Sequence, residues 1–142
     1  ALIPNGSFTE VYGTPYDFTE EKPLGRDINV DFGLLRHCCG YDTNYFIIGF
    51  DGTLRHAGRL SDPQSGRKMD IYTDLPCIQL YTGNMIGEYN PPFYGKYKSH
   101  DHMGVCLETQ VMPNAVNCPG ITDTILRPGE KYSKTTVFDF GA

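Results

Sequence analysis

Hydrophobic and polar residues alternate through Lys68-Met69-Asp70-Ile71-Tyr72-Thr73, setting Met69, Ile71 and Thr73 on one side and Lys68, Asp70 and Tyr72 on the other. A period of two predicts a β-strand, because successive side chains of a strand point to opposite faces. Cys77 to Thr82 continues in this style after Pro76, and Val105 to Val111 repeats it: Cys106, Glu108 and Gln110 share one face, Val105, Leu107 and Thr109 the other. Asn44 to Phe50 is rich in aromatic and β-branched residues and runs into Asp51-Gly52, a strong hairpin signal, so Leu54 to Leu60 is its expected partner. A last alternating strand is expected over Lys131 to Phe140, after a turn at Pro128-Gly129.

The first third, to about Cys39, is turn-rich instead: Pro4-Asn5-Gly6, Tyr12-Gly13-Thr14-Pro15 and Lys22-Pro23-Leu24-Gly25 punctuate short extended pieces. Arg26 to Leu35 has room for a helical turn, weakened by Gly33 and by its β-branched and Asn positions. Asn90-Pro91-Pro92 breaks whatever precedes it, so Met85 to Ser99 reads as a long loop carrying Tyr89, Phe93, Tyr94 and Tyr97. Pro113 to Pro119 is a further loop. The sum is all-β: one domain over residues 1–142, built of antiparallel sheet and most simply a β-sandwich.

Composition narrows the function classes. With 142 residues, 39% hydrophobic and 20% charged, the chain has the balance of a folded globular domain. The net charge is −5 with no basic run, so nucleic acid and anionic membranes are not expected partners. No membrane-length apolar stretch or signal peptide is visible. Five cysteines, Cys38, Cys39, Cys77, Cys106 and Cys118, form an odd set without a CxxC pair, which suits free thiols in a reducing cytosol and a cytoplasmic protein. Asn5-Gly6-Ser7 matches a glycosylation sequon, but Asn-Gly is more simply a tight turn.

Glu108 is the first candidate for chemistry. It stands in an otherwise uncharged, strand-like run, Val105-Cys106-Leu107-Glu108-Thr109-Gln110-Val111, where an ionised carboxylate is costly unless it meets a partner or a polar cleft. The plain alternative is a glutamate on a solvated sheet face. Asp42, in Gly40-Tyr41-Asp42-Thr43-Asn44-Tyr45, can accept hydrogen bonds from hydroxyl groups at a strand mouth, or can simply close an Asx turn. Gln79 and Tyr81 share a strand face, the amide-and-ring pairing that sugar sites use and that cross-strand packing uses equally. His100-Asp101-His102 would point two imidazoles the same way on a strand, but no further ligand spacing supports a metal, and none is expected. Cys38-Cys39 has no legible histidine base beside it.

Four blocks of this chain, in order, resemble the aldose 1-epimerase (galactose mutarotase) family. They are Gly40-Tyr41-Asp42-Thr43-Asn44-Tyr45; Pro76-Cys77-Ile78-Gln79-Leu80-Tyr81-Thr82-Gly83-Asn84; Cys106-Leu107-Glu108-Thr109-Gln110 with Pro113, Ala115, Asn117 and Pro119; and Leu126-Arg127-Pro128-Gly129-Glu130 on to Phe138. Leu2-Ile3-Pro4 also resembles the run that opens the second part of these enzymes. The resemblance implies the galactose mutarotase-like supersandwich and interconversion of the α and β anomers of hexoses such as galactose or glucose, with no cofactor. It also implies Glu108 as general base, and Asp42 and Gln79 as residues that bind sugar hydroxyls. Thr43 and Cys77 depart from the family's usual histidine and glycine. The family's acid histidine belongs to an earlier region, and none of His37, His56, His100 or His102 stands in a matching block. The chain is therefore expected to be a C-terminal portion, to associate with the N-terminal portion or with itself, and to bind a monosaccharide. A non-catalytic carbohydrate-binding β-sandwich is the alternative.

Overall fold

The computed structural model describes residues 3–89, 98–120 and 122–142. Leu2, Phe93, Tyr94, Tyr97 and the Asn90-Pro91-Pro92 break lie outside them. The described chain is all-β in class: strands β1 (Asp42–Phe46), β2 (Arg55–Ser61), β3 (Lys68–Thr73), β4 (Cys77–Tyr81), β5 (Cys106–Gln110) and β6 (Thr136–Gly141). Two short helices, α1 (Leu34–Cys38) and α2 (Ile86–Tyr89), and two 3-10 turns, Leu24–Arg26 and Ala115–Asn117, complete it. One sheet has the order β1-β4-β5 and the other β2-β3-β6, mostly antiparallel as an all-β sandwich requires. No helix among the described residues is long and apolar enough to cross a membrane.

The expected hairpin between Asn44–Phe50 and Leu54–Leu60 does not form. β1 ends at Phe46, and its neighbour is β4; β2 belongs to the other sheet. A turn closes at once, with Phe50 N–H donating to Ile47 O and Gly49 at φ 73°. Asp51 then spends its carboxylate locally, accepting from Thr53 N–H (2.9 Å) and Thr53 Oγ1 (2.7 Å). Asx turns and hairpin turns call for the same Asp-Gly chemistry, so the signal was right about the turn and silent about the pairing.

The chain falls into two compact units: Ala1–Gly6, Asn44–Ile78 and Glu108–Ala142 make the first, and Ser7–Thr43 with Gln79–Leu107 the second. In the first, β2 and β3 form the hairpin. Asp62 builds its turn, accepting from Ser65 Oγ at 2.6 Å while Gly66 takes φ 74°. β3 is central, paired on one side with β2 through a bulge between His56 and Gly58, and on the other with β6 from Lys68↔Gly141 to Thr73↔Thr136. Ile71 and Thr73, which share one face of this central strand, are fully buried. Hydroxyls extend the sheet inward: Thr73 Oγ1 lies 3.1 Å from Thr136 Oγ1, which lies 2.6 Å from Thr109 Oγ1 on β5. Cys77, Met112, Ala115 and Cys118 form an apolar cluster beside it. Cys77, where the resemblance led us to expect glycine, therefore fills core volume, and burial pushes its thiol up.

Asp70 is the exception to the alternation that predicted β3. It stands on the polar side yet is buried, with the Arg59 and His56 side chains of β2 against its carboxylate. Arg59, its cross-strand partner, donates Nε to Oδ1 (2.8 Å) and Nη2 to Oδ2 (3.0 Å), and His56 Nε2 lies 2.9 Å from Oδ1. A bidentate guanidinium is the strongest common partner for a carboxylate. Arg59 first, and His56 second, hold the Asp70 carboxyl below the usual carboxylate range. A lowered carboxyl contributes stability that is present above the ordinary value of 3.8 and is lost as pH falls through the lowered one. We therefore expect Asp70→Asn to be less stable than wild type at neutral pH, with the gap between them closing below pH 3.8. Urea unfolding across pH 2–8 measures this, and a gap that stayed constant would contradict it.

Candidate functional site

The second unit is built around Tyr41, which is fully buried. Its ring meets Tyr16 and Phe18 edge-on, at centroid distances of 6.1 and 5.2 Å. Its hydroxyl donates to Pro15 O at 2.9 Å, an oxygen that also accepts from Lys22 Nζ at 2.7 Å. Lys22 in turn pairs with Asp27 (2.8 Å) and sits 4.5 Å over the Phe18 ring. The turn-rich N-terminal third thus wraps one aromatic residue, and its prolines and glycines shape that wrapping. Burial, and then Asp27 and Tyr16, push the Tyr41 hydroxyl up to about 12.

Asp42 follows Tyr41 and opens β1. Its Oδ1 accepts from Gln79 Nε2 at 2.7 Å, and both side chains are half-buried. The Asx-turn alternative therefore gives way to a cross-strand bond between two predicted site residues. On β4, Gln79 and Tyr81 are half-buried while Ile78 and Leu80 are buried, as the alternation required. The structure brings Asp42 and Gln79 together.

Glu108 belongs to the first unit. It is exposed at the centre of β5, between half-buried Leu107 and Thr109. The amide beside it, Gln110, donates Nε2 to Asn44 Oδ1 at 3.1 Å. The carboxylate thus occupies an open, uncharged strand position.

His100, Asp101 and His102 do not form a strand. They lie in a turn, with His102 at φ 63°. His102 N–H donates to Gly83 O (2.9 Å) and its Nδ1 to Thr82 O (3.0 Å); a carbonyl can only accept, so Nδ1 carries the proton. His100 Nδ1 donates likewise to Asp101 O (2.9 Å). Among the described residues no three metal-ligating side chains gather. All five cysteines are free, with Cys38, Cys77 and Cys118 buried. Thr43, in the place of the family's histidine, buries its hydroxyl without a hydrogen-bond partner among the described residues.

Gly40, Thr82 and Asn84 stand in the family-like blocks with no role legible from the sequence, and the structure gives them one. Gly40 has φ 143°, and a Cβ there would lie against Asn84 Oδ1 and 2.9 Å from Thr82 Oγ1. The available signal was the glycine just before Tyr41-Asp42, a position where only the absence of Cβ permits such an approach.

Comparison with known proteins adds the following. The family model described as Aldose 1-epimerase matches residues 1–139. The chain is 38% identical over 143 residues to the galactose mutarotase of Homo sapiens, covering 98% of this chain and 39% of that protein. To the galactose mutarotase of Bos taurus it is 37% identical over 145 residues, with the same coverage. To the aldose 1-epimerase of Escherichia coli (strain K12) it is 29% identical over 140 residues, covering 97% of this chain and 40% of that protein. The chain thus spans about two fifths of the length of these relatives.

Two outcomes test the Tyr41 centre. Gly40→Ala should lower the unfolding free energy by about 2–4 kcal/mol, through backbone strain plus overpacking, in urea titration. Separately, ultraviolet titration should find one tyrosine that ionises only near pH 12, absent in Tyr41→Phe. Because its hydroxyl is raised on folding, the stability it contributes is complete below pH 10 and lost as pH rises through about 12.

Proposed function

This chain belongs to the aldose 1-epimerase family, and from that premise we propose that it serves hexose mutarotation, with Glu108 as the general base and Asp42 and Gln79 as binders of sugar hydroxyls. The observation that carries this reading is the Asp42–Gln79 bond of 2.7 Å. It spends one carboxylate oxygen on an amide and leaves the other, among the described residues, available to accept from a hydroxyl.

The chemistry needs a base and an acid. Glu108 takes the proton of the anomeric hydroxyl, the electrons freed form the C1 carbonyl, and the bond from C1 to the ring oxygen breaks as an acid protonates that oxygen. Rotation about C1–C2 and readdition to the other carbonyl face invert the centre, and both protons return. No electrons are gained or lost overall, so no redox cofactor enters. Exposure of Glu108 on an uncharged strand supports its role, because a base must be reachable by substrate. We place the acid in the part of the family's length that this chain does not span, which makes an N-terminal portion the expected partner. Exposed Phe140 and Ile48 supply apolar surface suited to such association.

A non-catalytic carbohydrate-binding β-sandwich is the second reading. Its support is that His56, His100 and His102 already hold Asp70, Asp101 O and Thr82 O. Polarimetry of freshly dissolved α-galactose, with sugar binding followed in parallel, separates the two. Glu108→Gln should cut the enzymatic rate by about 10²–10⁴-fold while sugar still binds. Asp42→Asn should weaken binding about tenfold, the cost of one bond to a charged group. Sugar binding with anomer interconversion no faster than in buffer, for the chain alone and with a relative's N-terminal portion added, would select the second reading.

A further inference from the structure

The backbone of Tyr41 is held by a closed ring of side-chain hydrogen bonds. Tyr41 N–H donates to Thr82 Oγ1 (3.0 Å), Thr82 Oγ1 donates to Asn84 Oδ1 (2.5 Å), and Asn84 Nδ2 donates to Tyr41 O (3.0 Å). Tyr41 O also accepts from Thr82 N–H at 3.1 Å. The ring admits one polarity. Tyr41 O can only accept, so Asn84 turns its Nδ2 toward it and its Oδ1 toward the Thr82 hydroxyl, which accepts from Tyr41 N–H and donates to Asn84 Oδ1, with Tyr41 O a more distant acceptor at 3.4 Å. Tyr41, Thr82 and Asn84 are each at most 2% exposed, so water does not compete for these bonds. Gly40 lets the two segments approach, since a Cβ there would collide with Asn84 Oδ1.

An ordinary sheet ladder gives each strand N–H and C=O one partner. Here the carbonyl of Tyr41, in the peptide plane that leads to Asp42, has Asn84 Nδ2 (3.0 Å), Thr82 N–H (3.1 Å) and Thr82 Oγ1 (3.4 Å) as donors, while its N–H, in the plane from Gly40, takes Thr82 Oγ1, so both peptide planes that flank Tyr41 are held. The other end of the clasp follows β4 directly, the strand that carries Gln79. We infer that Thr82 and Asn84 are positioning residues: they set the peptide plane that aims the Asp42 carboxylate at Gln79 and at a sugar hydroxyl. The sugar part of this inference rests on the function proposed above; the aim at Gln79 does not. Rotation of that plane would displace the carboxylate at the end of its side chain, and a misplacement of about 1 Å at a reacting group is enough to cost about 10²-fold.

The test uses the whole chain, with Thr82→Val to remove the hydroxyl at near-constant shape and Thr82→Ser to restore it. Nuclear magnetic resonance reads the Gln79 side-chain amide, whose shift and exchange protection report its bond to Asp42, and a galactose titration reads affinity. We expect Thr82→Val to lose the Gln79 protection and to bind galactose at least tenfold more weakly while the sheet amides stay native. Thr82→Ser should remain within twofold of wild type in both. If Thr82→Val only lowers the melting temperature, with Gln79 protection and affinity unchanged, the clasp is structural and the inference is overturned. Should Thr82→Val not fold, Asn84→Ala keeps the Tyr41–Thr82 bond and is read against the same two outcomes. A wild-type chain that binds no galactose would sink the sugar reading alone, because the Gln79 amide still decides the positioning.

Discussion

Burying Tyr41 demands that a ring, a phenol hydroxyl and two backbone groups all find partners away from water, and much of the second unit is the answer to that demand. The ring takes Tyr16 and Phe18, the hydroxyl takes Pro15 O, and the backbone takes Thr82 and Asn84. An unmatched buried polar group costs about 1–3 kcal/mol, so losing one partner is felt by the others. This explains how a segment with almost no regular structure before Asp42 is still ordered around it. The turns of residues 11–33 do not pack as elements; they deliver Pro15 O, Tyr16, Phe18 and Lys22 to one residue.

The first unit solves the same problem with fewer local means. Asp70 is buried on a strand whose two edges are both occupied, so its charge is answered from across the strand by Arg59 and His56. The hydroxyl series Thr73–Thr136–Thr109 does for neutral groups what Arg59 does for the charge, with successive oxygens 3.1 and 2.6 Å apart. Both arrangements join residues distant in sequence, and alternation alone cannot announce such pairs.

That difference marks the limit of what the sequence disclosed. Lys68–Thr73 was read with its bounds intact, and β4 and β5 to within a residue at each end, because their alternation is strict and Pro76 and Pro113 punctuate them. The final strand begins at Thr136 rather than Lys131, since alternation does not say where pairing with β3 starts. Asp51-Gly52 misdirected the pairing of β1 because turn chemistry is local and strand partnership is not. His100-Asp101-His102 lies in a turn, where His102 takes a positive φ and reaches Gly83 and Thr82, a segment about twenty residues earlier that the local sequence does not announce. Asp42 and Gln79 were legible as candidates from their blocks, whereas the buried ring that holds Tyr41 could be seen only once the two blocks were placed side by side.

The carboxylates of this chain differ in how much acceptor capacity they have left. Asp70 has both oxygens committed to Arg59, with His56 added to one of them. Asp62 and Asp51 are spent on their own turns. Among the described residues, Asp42 accepts a side-chain hydrogen bond from Gln79 through Oδ1 and none through Oδ2. A group that must read a hydroxyl has to be both fixed in place and unsatisfied, and these requirements conflict when the fixing is done through the carboxylate itself. Holding the preceding backbone instead, as Thr82 and Asn84 do at Tyr41, removes the conflict: the peptide carries the constraint and an oxygen stays available. Glu108, the proposed base, is exposed on a strand whose neighbours, Thr109 and Gln110, take up local hydrogen bonds.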